Sequence, residues 1–123
     1  MKSLALIFMG GGLGSILRYL LAKFLNSHET GVPYGTLLVN ILGSLLLGIV
    51  LGWALKNNTL SSATVLFLAT GFCGGFTTFS TFAYENHLFL KNGDIFSFAV
   101  YSIGSMVLGF AVVFLGLWLG KIL

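Results

Sequence analysis

Charge is scarce in this sequence. Only 7% of its 123 residues are Asp, Glu, Lys or Arg, against about 25% in an ordinary soluble domain. So few charges cannot keep a water-facing surface soluble, and lipid becomes the natural solvent for most of it. Cysteine is nearly absent: Cys73 stands alone, which excludes an intrachain disulfide and a cysteine-based metal site. Pro33 is the only proline, and it sits just before an apolar run, where it does no harm to a helix. An enzyme's constellation is missing too. His28 falls in a polar connection and His87 at the end of an apolar run, with no nucleophile–base–acid set and no metal-ligand spacing. The Gly10-Gly11-Gly12 cluster follows no strand and fits no GxGxxG spacing, so it is not a nucleotide loop. The net charge of +3 rests on residues that flank apolar segments, which points to headgroup contact and topology control and not to nucleic acid.

What is present is apolar: 57% of the chain is hydrophobic. Four runs are each long enough for a membrane span of about 20 residues. They cover Ser3 to Phe24, Gly35 to Leu55, Ser61 to Leu88 and Ile95 to Leu119. The connections at Leu25 to Tyr34, Lys56 to Leu60 and Phe89 to Asp94 carry Asn, Ser, Gly or charge, as water-boundary loops do. Lys2 and an apolar run open the chain, but Arg18 and Lys23 follow without a small-residue cleavage pattern. The first run is therefore expected to be a retained helix and not a signal peptide. The expected fold is an all-α membrane protein, one four-helix transmembrane domain over residues 1–123.

Small residues recur at four-residue spacing: Gly10 and Gly14; Ser44, Gly48 and Gly52; Ser105 and Gly109; Gly116 and Gly120. Such pairs let helix backbones approach closely in lipid, where no hydrophobic force drives helices together. They serve packing within one subunit or between subunits. Four crossings put Lys2, Lys56 and Lys121 on one side and Arg18, Lys23 and Lys91 on the other. A basic asymmetry normally orients a membrane protein, and here the sides balance. Insertion in both orientations follows, which allows an antiparallel dimer. The alternative is a single orientation, with Arg18 too deep to count.

Polar residues within apolar spans are costly and usually face a bundle interior or a water path. The third run holds the densest group, from Gly71 to Phe82, with Gly74-Gly75 followed by Thr77-Thr78. Paired Gly and paired Thr are poor helix formers. A break at Gly74 to Thr78 would free backbone carbonyls at membrane depth, where only protein or a cavity can surround them, and such carbonyls suit a hard cation such as Na⁺. An unbroken, tightly packed helix is the rival. Phe79 and Phe82 share a helix face, and their positive ring edges could attract a small anion. Ser80 and Thr81 add hydroxyls beside them, unless these simply bond the preceding turn. Thr36, Asn40 and Ser44 form a polar stripe. The Asn40 amide offers donors to an anion or to another helix. Arg18 and Glu85 are read as interfacial anchors, with Glu85 pairing with Arg18 or accepting from Thr36.

These residues together resemble the Fluc/CrcB family of fluoride channels. The likeness rests on Gly14-Ser15-Ile16-Leu17-Arg18-Tyr19, on Gly35-Thr36-Leu37-Leu38-Val39-Asn40, on the Gly71 to Phe82 stretch, and on Glu85. It covers essentially the whole chain, and Gly74 to Phe82 is its most specific part. The resemblance implies a multi-pass protein of the bacterial plasma (inner) membrane, assembled as an antiparallel, dual-topology homodimer with two pores that passively export fluoride. It implies a structural Na⁺ held at the third-helix break by the main-chain carbonyls of Gly74 and Thr77. It places Asn40, Phe79, Ser80, Thr81 and Phe82 along the fluoride path, with Arg18, Thr36, Glu85, Tyr101 and Ser105 in support. Membrane lipid and a second copy are the expected partners. Two other readings stay open on the residues alone. A proton-coupled exporter of cationic drugs needs a membrane-embedded carboxylate, typically in the first span, and that span has none. A helper subunit would only pack against a larger membrane protein.

Overall fold

The fold is taken from a computed structural model, which describes residues 1–26, 31–57 and 60–123. It is all-helical among the described residues apart from an isolated bridge between Asn26 and Pro33. Helix α1 spans Lys2–Leu25, α2 spans Tyr34–Asn57 and α6 spans Ile95–Ile122. Between α2 and α6 the chain forms α3 (Ser62–Val65), a wider π-helical segment (Leu66–Cys73), α4 (Gly74–Phe76) and α5 (Ser80–Lys91). Four stretches are long and apolar enough to cross a membrane: Lys2–Leu25, Tyr34–Lys56, Ser62–Lys91 and Ile95–Ile122. The expected spans are therefore all present, each within a few residues of its expected ends. His28 and the centres of the first two expected loops lie outside the described residues.

The third connection is shorter than expected. The charged Lys91 reads as loop, yet α5 runs through it, and only residues 92–94 connect the two helices. Gly93, at φ 76°, takes the left-handed conformation that closes a helix. Its N–H donates to Leu90 O at 3.1 Å, and Asp94 N donates to Phe89 O at 2.8 Å. Asp94 then opens α6, its Oδ1 accepting from Ser97 N at 3.1 Å. Two adjacent residues thus end one helix and start the next.

Glycine decides which helices meet. A Cβ on Gly48 would lie 2.9 Å from Gly116 Cα and 3.0 Å from Leu117 N. A Cβ on Gly120 would lie 2.7 Å from Trp53 N. The α2 and α6 backbones therefore touch along a parallel seam. A second parallel seam joins α1 to the third crossing. There Gly10 faces Phe67 O and Phe72 N, Gly14 faces Phe72 O and Phe76 N, and Gly75 faces Gly11 O. These small-residue pairs are consumed within the chain. Gly104 and Gly109 have nothing within 4 Å of an added Cβ. Val39, Val50 and Phe76 form the buried centre, while Phe8, Phe24, Phe96 and Phe114 face outward as lipid-contacting side chains do.

Candidate functional site

The site is built around Thr77 on the third crossing. Thr77 leaves the helix with an extended backbone, φ −88° and ψ 158°. Its N–H and Oγ1 both donate to Cys73 O, at 3.0 and 2.8 Å. Gly43 on α2 makes room: a Cβ there would meet Thr77 Cγ2 and lie 3.1 Å from the Phe76 ring. Asn40, one turn earlier on α2, holds the next residue by both ends of its amide. Its Oδ1 accepts from Thr78 N at 2.8 Å, and its Nδ2 donates to Thr78 O at 3.1 Å.

These contacts redirect two amides. In a continuous helix each N–H points at the carbonyl four residues back, so Thr78 N would serve Gly74 O and Thr81 N would serve Thr77 O. Thr78 N serves Asn40 instead, and Thr81 N donates to Thr78 Oγ1 at 3.2 Å. The carbonyls of Gly74 and Thr77 lose those partners, and Gly75 O and Phe76 O stand in the same interruption between α4 and α5. Gly74 is exposed, with nothing within 4 Å of an added Cβ. The intervening Gly75 O is occupied: Arg18 Nε donates to it at 3.0 Å, and Ser15 Oγ approaches at 3.5 Å.

Arg18 was expected as an interfacial anchor and candidate partner of Glu85. It reaches into the third crossing instead, because the glycines of α1 bring the backbone of α4 within range of its side chain. The Arg18 cation is thus directed at a carbonyl of the third crossing. Glu85 takes the other expected partner. Its Oε2 accepts from Thr36 Oγ1 at 2.6 Å, and its Oε1 accepts from Tyr101 OH at 2.8 Å. Thr36 is 1% exposed. It also accepts from Asn26 Nδ2 at 3.3 Å, while Asn26 Oδ1 takes Gly35 N at 2.7 Å and Thr36 N at 3.2 Å. Asn26 was not singled out in the sequence. Its capping role spans a ten-residue separation that no local pattern reveals.

The remaining path candidates divide between two clefts. One, of about 460 Å³, is lined by Asn40, Ser44, Thr78, Phe79, Phe82 and Ser105, among others. Ser105 Oγ is buried there without a hydrogen-bond partner among the described residues. The other, of about 570 Å³, opens beside Tyr19, Lys23, Asn26, Thr81, Glu85 and Leu88. A run of rings joins the two: Phe79 to Phe82 at 6.0 Å, Phe82 to Tyr101 at 5.1 Å, and Tyr101 back to Glu85 through its hydroxyl. Ser80 is exposed, its Oγ 3.4 Å from Thr78 Oγ1. Asn40, Phe79, Phe82 and Ser105 are thus brought together, while Thr81 and Glu85 face the second cleft.

The sequence profile described as CrcB-like protein, Camphor Resistance (CrcB), matches residues 5–117. The chain belongs to the CrcB-like family. The CrcB-like chain is also similar to proteins named Fluoride-specific ion channel FluC. That of Gloeothece citriformis is 48% identical over 122 residues, covering 98% of this chain and 98% of its own length. That of Phocaeicola vulgatus is 48% identical over 122 residues, covering 98% of this chain and 100% of its own. The Flavobacterium psychrophilum protein is 42% identical over 122 residues, covering 98% of each. Family membership and four apolar crossings make the CrcB-like chain a multi-pass protein of the bacterial plasma membrane.

Proposed function

We propose that this chain is a fluoride-specific ion channel, passively releasing fluoride from the cell, and that it works as an antiparallel, dual-topology homodimer with two pores. The relatives' names point to the ion. The observation that carries the site is the paired hydrogen bonding of Asn40 with Thr78, which leaves a polar kink beside the Phe79–Phe82 rings. In this reading the third crossing is a broken transmembrane helix.

Fluoride is small and strongly hydrated, so a path for it must offer donors in place of water. Asn40 spends one Nδ2 hydrogen on Thr78 O and keeps the other. The hydroxyls of Ser80, Thr81 and Ser105 and the positive edges of Phe79 and Phe82 complete the set. No charged side chain lines the cleft that holds the rings, so an anion is attracted without being trapped. Both clefts are open in one subunit, and a second copy would close them. The 3:3 balance of basic residues favours insertion in both orientations.

The carbonyls of Gly74 and Thr77 fit a hard cation, being oxygen donors whose helical N–H partners are diverted. At the dimer axis they would hold a structural Na⁺, whose charge would offset carbonyl dipoles facing one another. Arg18 holds Gly75 O away from that role. A drug exporter is disfavoured, because both oxygens of Glu85 are engaged by Thr36 and Tyr101.

The test uses liposomes loaded with fluoride and containing purified protein. Fluoride is expected to leave much faster than from protein-free vesicles, and chloride is not. Equal chloride release, or none of either ion, would overturn the proposal. Phe82→Ile is expected to slow fluoride while the dimer persists.

A further inference from the structure

A buried amide on the back of α5 takes no part in the path just described. Asn86 is 6% exposed. Its Nδ2 donates to Phe82 O at 3.0 Å, and its Oδ1 accepts from Ser102 Oγ on α6 at 2.9 Å. A polar side chain in a membrane helix is costly without partners, and an apolar residue could fill this volume. What the amide adds is direction.

One residue earlier on each helix, Tyr101 OH donates to Glu85 Oε1 at 2.8 Å. The bonds 85–101 and 86–102 are therefore two neighbouring rungs between α5 and α6. Consecutive helix positions are about 100° apart around the axis. The Glu85 contacts with Tyr101 and Thr36 meet α5 at one azimuth, and a second rung at a different azimuth opposes roll about them. Phe82 lies one turn before Asn86, its carbonyl held by the Asn86 amide and its ring 5.1 Å from the Tyr101 ring. The roll of α5 thus sets where the Phe82 ring points.

We infer that Asn86 and Ser102 form a positioning clamp that fixes the roll of α5 and so aims Phe82 at the fluoride path. Neither clamp residue touches the ion. The inference rests on the reading of the chain as a fluoride channel. Its distinguishing property is that function and stability separate. Replacing both partners of a buried hydrogen bond by apolar groups is nearly neutral for stability, whereas the aim of the ring is lost.

The experiment compares wild type, Ser102→Thr, Ser102→Ala and the double variant Asn86→Leu with Ser102→Ala in fluoride-loaded liposomes, recording maximal flux, half-saturating fluoride and fluoride-over-chloride preference. Dimer content and melting temperature are measured in detergent. Ser102→Thr retains the hydroxyl and is expected to conduct like wild type. Ser102→Ala and the double variant are expected to lose maximal flux by about fivefold, the factor of one net hydrogen bond, with reduced ion preference. The double variant should keep its dimer and melt near the wild-type temperature. Wild-type flux and preference in the double variant, equal flux in Ser102→Thr and Ser102→Ala, or flux that falls only in step with melting temperature overturns the clamp. A wild-type protein that releases no fluoride overturns the channel reading instead.

Discussion

Asn40 and Thr78 hydrogen-bond each other twice, the side-chain amide of one matching the backbone N–H and carbonyl of the other at 2.8 and 3.1 Å. The pairing resembles a rung of sheet made by a side chain, and it satisfies backbone groups that a membrane would otherwise leave bare. It also explains why one α2 residue can matter to both halves of the site. The amide holds Thr78, and Asn40 also lines the cleft.

Asn40→Ala is therefore expected to remove fluoride flux and to destabilise the fold by about 1–3 kcal/mol for each backbone group left unpaired. Asn40→Asp keeps the acceptor for Thr78 N but cannot donate to Thr78 O, and it places a negative charge beside an anion path. It is expected to unfold less readily than Asn40→Ala and yet to conduct as poorly. Liposome flux together with thermal unfolding in detergent checks both halves of this ordering. Wild-type flux in Asn40→Ala would remove the amide from the site.

Hydropathy made the four crossings legible, because long apolar runs bounded by Lys, Asn and Asp have few other solutions in 123 residues. Glycine and threonine drew attention to the stretch from Gly74 to Thr78, where Thr77 has an extended backbone. Leu66–Cys73 gave no such signal. Leu-Phe-Leu-Ala reads as ordinary helix, and the π geometry accompanies close approach to Gly10 and Gly14 on α1, a tertiary effect. Arg18 was conspicuous, but its partner was not, since Gly75 lies 57 residues away. Asn86 was not singled out, although it is a buried link to Ser102.

The parallel seam between α2 and α6 predicts opposite signs for two glycine substitutions on one helix. An alanine methyl at Gly116 would sit 2.9 Å from both Gly48 Cα and Ile49 N, backbone atoms that cannot step aside. Gly116→Ala is expected to cost about 1–3 kcal/mol. Gly104 has open space around it, so Gly104→Ala gains about 0.5–1 kcal/mol of helix propensity. Melting temperatures in detergent should fall for the first and hold or rise for the second. A reversed order would mean that the seam does not form.

Acid should loosen the start of α6. Asp94, exposed at the water boundary, accepts from Ser97 N, and hydrogen bonding from the Ser97 side chain first and from this backbone N–H second holds its carboxyl below the usual carboxylate range. A group whose folded value is depressed contributes stability above its unfolded pKa, about 3.9 for Asp. That contribution is lost as pH falls through the lower folded value. Asp94→Asn keeps an acceptor oxygen at every pH and should lack that component of acid sensitivity. Asp94→Ala should melt lower at neutral pH. Parallel acid titrations of the three proteins, followed by melting temperature, test this; identical acid profiles would show that the cap is not formed in solution.

The cradle around Glu85 separates a ring from its hydroxyl. Tyr101 packs 5.1 Å from the Phe82 ring and 5.9 Å from the Phe89 ring, and separately donates to Glu85. Tyr101→Phe keeps the stacking and deletes only the donor. Thr36→Val deletes the other donor at nearly constant volume, in a side chain that is 1% exposed. Each leaves one oxygen of Glu85 short of a partner, at about 1.5–3 kcal/mol for a hydrogen bond to a charged group. If the carboxylate position matters to the ion path, both variants should lose fluoride flux while the dimer persists. Adding Glu85→Gln to Tyr101→Phe should then cost less than it does in wild type, because the two residues act through one contact. Strictly additive losses of flux would mean that Glu85 and Tyr101 act on the path independently, and unchanged flux in all of them would place the cradle outside it.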